Sequence, residues 1–109
     1  MTQWETYDWH FPHGQHPCVL ISHPDLCENP DVDVVNVVGC STHRATRLPL
    51  KHEVLIDAAD GMNWETLVRL DRIYLVKKSE LKNRRGLVTP ERRKEIGTKI
   101  IKLFGLWQP

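Results

Sequence analysis

The sequence predicts a mainly β fold with one C-terminal helix, a small antiparallel β-barrel, and three observations predict it. Apolar and period-two segments recur between residues 4 and 76, turn residues separate them at short intervals, and after Thr89 the periodicity lengthens to three and four. A run of strands followed by a helix is the pattern of a small barrel or roll capped on one side. The 109 residues suit a single domain spanning 1–109, large enough to bury a modest core without disulfide or metal staples.

Taken in order, Trp4 to Phe11 places Tyr7, Trp9 and Phe11 opposite Thr6, Asp8 and His10, the alternation of a half-buried strand. Trp4, Tyr7 and Trp9 are expected in a core or a dimer interface rather than as base-stacking platforms. Pro12, Gly14 and Pro17 exclude a helix and predict a loop, after which Cys18 to Ser22 reads as a buried strand. The polar, proline-containing stretch His23 to Asp31 predicts an exposed loop. Val32 to Val38 is rich in β-branched residues and predicts a central strand ending at Gly39.

A turn, Cys40 to Arg44, and a loop, Ala45 to Leu50, lead into strands at His52 to Asp57, Glu65 to Leu70 and Ile73 to Val76, with turn chemistry at Ala58 to Gly61. Thr89 then stands as N-cap, Pro90 in the first helical position and Glu91 against the helix dipole. Ile96, Ile100, Leu103 and Trp107 form the apolar stripe of that helix, and Gly105 is its stop.

Composition narrows the class of molecule. With 40% apolar and 27% charged residues the chain is neither disordered nor of low complexity. No apolar run reaches the roughly 18 residues of a membrane span, and no signal-peptide pattern opens the chain, so a cytoplasmic location without membrane contact is expected. Cys18, Cys27 and Cys40, odd in number and irregularly spaced, fit reduced thiols. Residues 1–60 carry 3 basic and 9 acidic groups and residues 61–109 carry 12 and 5, a net −6 followed by +7. Such a division marks either a phosphate-attracting basic face or charges that folding brings together. His10, His13 and His16 recur at every third residue near Cys18 and His23, but their spacing matches no closed metal site, so no metal and no cofactor are expected.

Several motifs in a fixed order give the chain a family resemblance. Gly86-Leu-Val-Thr-Pro-Glu-Arg, followed by Ile96, Ile100 and Leu103, resembles the Gly-Thr-Val-x-Pro-Glu lead into the last helix of the PemK/MazF toxins. His16-Pro-Cys-Val-Leu-Ile-Ser22 resembles that family's Arg-Pro-x-Val-Val-Leu-Ser strand, and Val38-Gly-Cys-Ser-Thr-His43 its Val-Pro-Cys-Thr-Thr-Gln turn. Gly61 to Leu81 is similar to the segment that follows, so the likeness spans about Pro17 to Leu106. It implies an SH3-like barrel of the PemK/MazF/CcdB type and a toxin component of a toxin-antitoxin system. The implied partners are single-stranded RNA, an antitoxin protein and a second copy in a homodimer.

The implied activity is metal-independent cleavage of RNA, in which a 2′-hydroxyl attacks the neighbouring phosphate and leaves a cyclic phosphate. Such chemistry needs a proton acceptor, a proton donor and a stabiliser of phosphoryl charge. The family's catalytic arginine is His16 here, and an imidazole is able to act as acid, base or cationic donor near neutral pH. Ser41 aligns with the family's catalytic threonine and Thr42 stands beside it, so His16, Ser41 and Thr42 are the catalytic candidates, with His13, His43, Arg44 and Arg47 as RNA-binding candidates. Replacement of the arginine leaves two alternatives open. One is a barrel that binds protein or nucleic acid without cutting it; the other is a gyrase-targeting toxin of related fold.

Overall fold

Alternating and β-branched segments become strands throughout the computed structural model, which describes residues 1–106. In chain order the strands are β1 Glu5–Phe11, β2 Gly14–Leu20, β3 Val34–Gly39, β4 Glu53–Ile56, β5 Thr66–Arg69, β6 Tyr74–Lys77 and β7 Lys82–Leu87. The helices are α1 Pro24–Cys27 and α2 Pro90–Leu103. One antiparallel sheet has the order β6-β3-β2-β1-β7; β4 and β5 form a second, two-stranded sheet. A single bridge, Cys40 to Val68, joins the two sheets. The architecture is the expected mainly β fold with antiparallel strands and a C-terminal helix.

The five-stranded sheet is buried on both faces. Val19 and Val38 pack on one side with Val54, Ile56, Val68 and Ile96, which brings the second sheet and α2 onto that face. Their neighbours Cys18, Leu20, Val35 and Val37 point the other way, into a cluster with Phe11, Val76 and Leu81. Strict alternation within β2 and β3 therefore feeds two cores rather than one core and solvent. Tyr7 and Trp9 pack against the second cluster, with the rings of Trp9 and Phe11 4.6 Å apart edge to face. The three cysteines are buried and unpaired, and burial pushes the Cys18 thiol up to about 12.

Four local expectations are corrected. The loop after Phe11 is only Pro12 and His13, because the β1–β2 hairpin closes at the pair Phe11 and Gly14. Gln15, His16 and Pro17 lie in strand, and the Pro17 carbonyl still accepts a ladder bond from Cys40 N–H at 2.9 Å. Within His23 to Asp31, one helical turn forms at Pro24–Cys27, started by His23, whose ring nitrogen accepts from Asp25 N–H. Strand β7 was not anticipated, since Lys82-Asn-Arg-Arg-Gly-Leu87 lacks any apolar alternation. Thr89 precedes α2 as expected but makes no side-chain cap; its N–H donates instead to Asp60 Oδ1 at 2.9 Å.

Helix α2 buries Ile96 and packs Ile100, whereas Leu103 is more than a third exposed; Gly105, with φ +62°, ends it, and Trp107 lies outside the described residues. Among the described residues no helix is long and apolar enough to cross a membrane.

The acidic first part and the basic second part of the chain meet in pairs. Arg84 and Arg85 of β7 face Glu5 and Asp8 of β1, both carboxylates being almost wholly buried. Asp60, with no exposed surface, accepts from Arg92 of α2, from Asp57 N–H and from Thr89 N–H, while its own carbonyl takes the Thr6 hydroxyl. Its turn packs backbone to backbone on β7: a Cβ at Gly61, where φ is +95°, would lie 2.6 Å from the Arg85 carbonyl oxygen.

A buried carboxylate with three partners is costly to remove, because its cation and N–H groups are left unpaired. Asp60→Ala is expected to lose about 3 kcal/mol of stability in urea denaturation. Gly61→Ala, which meets both the clash and the left-handed backbone, should likewise lower the midpoint.

Candidate active site

The site begins where β3 ends. Gly39 lies against the Phe11 ring, since a Cβ there would stand 3.1 Å from it. Next, Cys40 N–H donates to Pro17 of β2, and Ser41 N–H donates to Leu67 of β5 at 2.9 Å. The Ser41 hydroxyl accepts from Leu67 N–H at 3.1 Å and donates to the His43 carbonyl at 3.2 Å. Both hydrogen-bonding functions of that hydroxyl are therefore held by backbone. Thr42, the next residue, is exposed, and its Oγ1 is hydrogen-bonded to His16 Nδ1 of β2. Residues 26 apart in sequence thus meet on one rim.

That rim separates two hollows. The larger, about 380 Å³, is walled by Phe11, Leu50, Leu67 and Tyr74 with His13 and His52 at its edge. The smaller, about 280 Å³, is more polar, with Asp8, Gln15, Asn63, Trp64 and Arg85. His16 and Ser41 line both. The His13 and His16 rings stand 4.6 Å apart. Partial burial, reinforced by His13 and His43, lowers the pKa of His16 below the ordinary histidine value, so its imidazole stays neutral to a more acidic pH.

The four RNA-binding candidates divide. His13 is exposed at the hairpin turn, and His43 and Arg44 are exposed just beyond Thr42. Arg44 faces the Glu65 carboxylate at 3.6 Å on the open surface. Arg47 lines the larger hollow, but both of its terminal nitrogens donate to Glu53, at 2.6 and 2.9 Å. With that fork and the Leu50 N–H beside it, the buried Glu53 carboxyl is pushed down to about 2. Arg69 in the same wall is similarly paired with Asp71. His10 and His23 stand apart from this rim, and among the described residues no group of three side chains is placed to hold a metal ion.

Sequence reasoning missed His52, Tyr74, Gln15, Asn63 and Trp64 as wall residues. His52, Asn63, Trp64 and Tyr74 sit in separate strands and turns with no local spacing to relate them to His16, whereas Gln15 adjoins it in β2 and was read as loop.

Comparison with known proteins accords with this fold. A family model described as the PemK-like, MazF-like toxin of type II toxin-antitoxin system matches residues 4–104. The chain belongs to that family. Its fold is similar to a mycobacterial endoribonuclease solved in complex with its cognate antitoxin, at TM-score 0.81 and 25% identity, covering 100% of this chain and 99% of that one. It is also similar to the Mycobacterium tuberculosis toxin MazF-mt6, at 0.80 and 19% over 95% and 99% of the two chains. The MazF of a MazE–MazF structure from Deinococcus radiodurans follows at 0.72 and 17%, over 96% and 95%. Curated protein sequences give no significant match.

In this MazF-like chain the Arg47–Glu53 fork also governs behaviour in acid. The folded-state pKa of Glu53 lies below its ordinary value of 4.5, so its contribution is complete above pH 4.5 and is lost as pH falls toward 2. Because Arg47 is half exposed, solvent screening reduces that contribution. Glu53→Gln should lower stability at pH 7 and flatten the stability curve between pH 4.5 and 2, as read by denaturation at stepped pH.

Proposed function

We propose that this PemK/MazF-family chain is a growth-inhibiting toxin that cleaves single-stranded RNA without metal, by attack of a 2′-hydroxyl on the adjoining phosphate. The observation that supports it is the His16–Thr42 contact on a rim between two hollows. In this reading the His16 Nδ1–H donates to Thr42 Oγ1, which leaves the Nε2 lone pair toward the groove. Nε2 accepts the proton of the 2′-hydroxyl as the new bond from that oxygen to phosphorus forms. The bond from phosphorus to the 5′-oxygen breaks, and the departing oxygen takes a proton from His13, whose ring neighbours that of His16. Ser41 holds the turn in place, and His43 and Arg44 on that turn contact phosphate.

The family membership and the antitoxin complexes of its structural neighbours support two further partners, an antitoxin protein and a second copy in a homodimer. Replacement of the family arginine by His16 favours one rival, a barrel that retains RNA without cutting it.

The test is incubation of purified protein with a long unstructured RNA in chelator, scored for fragments ending in cyclic phosphate. His16→Ala is expected to lower cleavage about 10²- to 10⁴-fold, and the acidic limb of the wild-type pH–rate profile should fall below pH 6.5. Thr42→Val, which removes the acceptor but keeps the shape, should cost about tenfold. Undiminished cutting by His16→Ala would refute the mechanism; RNA retained without fragments would favour the rival.

A further inference from the structure

The larger hollow has a feature that the rim chemistry leaves unused. Its wall carries three arginines, and two of them are neutralised: Arg47 by Glu53 and Arg69 by Asp71. Arg72 lines the same wall, is exposed, and among the described residues has neither an ion pair nor a side-chain hydrogen bond. Around it the walls are apolar and aromatic: Tyr74 half buried, the edge of Phe11, Leu50 and Leu67. The Phe11 and Tyr74 rings are braced edge to face at 4.9 Å, so this wall is rigid. A hollow of about 380 Å³ holds a small molecule or one residue of a polymer.

An unneutralised guanidinium beside an aromatic wall is the pairing that single-stranded nucleic acid requires, a cation for the phosphate and a flat face for the base. The hollow shares His16 and Ser41 with its smaller neighbour, so a strand crossing the rim would drop one nucleotide on each side. We propose that the larger hollow seats the nucleotide flanking the scissile bond, its base against Tyr74 and Leu50 and its phosphate on Arg72. This assignment deepens the RNA-cleaving function proposed above and rests on it.

The experiment uses the full chain and a single-stranded oligonucleotide made uncleavable by 2′-O-methylation, with affinity measured by fluorescence anisotropy at several salt concentrations. Arg72→Ala is expected to weaken binding severalfold and to reduce the slope of log affinity against log salt by about 0.7, one phosphate contact on a single strand. Arg72→Lys should keep the slope. Tyr74→Ala should weaken binding about tenfold at every salt concentration with the slope unchanged. Lys94→Ala, an exposed cation on α2, serves as control and should change nothing.

If the wild-type chain binds and cuts RNA while Arg72→Ala matches it in affinity and slope, the subsite is wrong and the cleavage function stands. If the wild type binds with the expected variant pattern but cuts nothing, the subsite stands and the cleavage function falls. A wild-type chain that binds no RNA, or that binds only an acidic peptide, overturns both.

Discussion

The two backbone donors of Cys40 and Ser41 point in opposite directions, one into the large sheet and the other into the small one. Cys40 is bonded to Pro17 of β2 and Ser41 to Leu67 of β5. Buried backbone groups must be paired, so a chain leaving one sheet at this point is drawn onto the other. The same two bonds close the core between the sheets, and they carry Thr42 over the strand that holds His16. Fold and candidate site therefore share one structural junction. The Ser41 hydroxyl reinforces it with a third bond to the backbone of Leu67, which explains why Thr42, and not Ser41, meets the imidazole.

Charge completes what the junction begins. Burial of Glu5, Asp8, Glu53 and Asp60 would be prohibitive without partners, and each lies opposite an arginine from elsewhere in the chain. These pairings attach the polar strand β7 to β1 and bind α2 to the turn after β4. They also consume most of the arginines near the groove. Its remaining polar character comes from the imidazoles of His13, His16 and His52 and from the few cations left without a carboxylate, Arg72 among them.

Much of the fold was legible beforehand because it depends on local rules. Alternation located β1, β-branched content located β3, and Thr89-Pro-Glu located the start of α2. The misses have equally specific causes. Strand β7 is held by ion pairs and by close backbone contact at Gly61 and Gly86, neither of which leaves a periodic trace. Pro17 looked like a loop residue because a proline lacks a donor, yet its carbonyl alone is enough to continue the ladder to Cys40. The charge division read equally well as a binding face or as paired halves, and for Glu5, Asp8, Asp57 and Asp60 it is pairing.

By itself, the sequence determined the succession of strands and the closing helix, the kinds of groups available for chemistry and, through the order of its motifs, the family. Periodicity and turn chemistry act over a few residues, and that range suffices for such features. Tertiary structure decided which groups meet: His16 with Thr42, Arg47 with Glu53, Arg92 with Asp60, and an aromatic wall assembled from β1 and β6. Those encounters depend on sheet register and on the pairing demands of buried charge, which relate residues tens of positions apart and leave no local pattern to read.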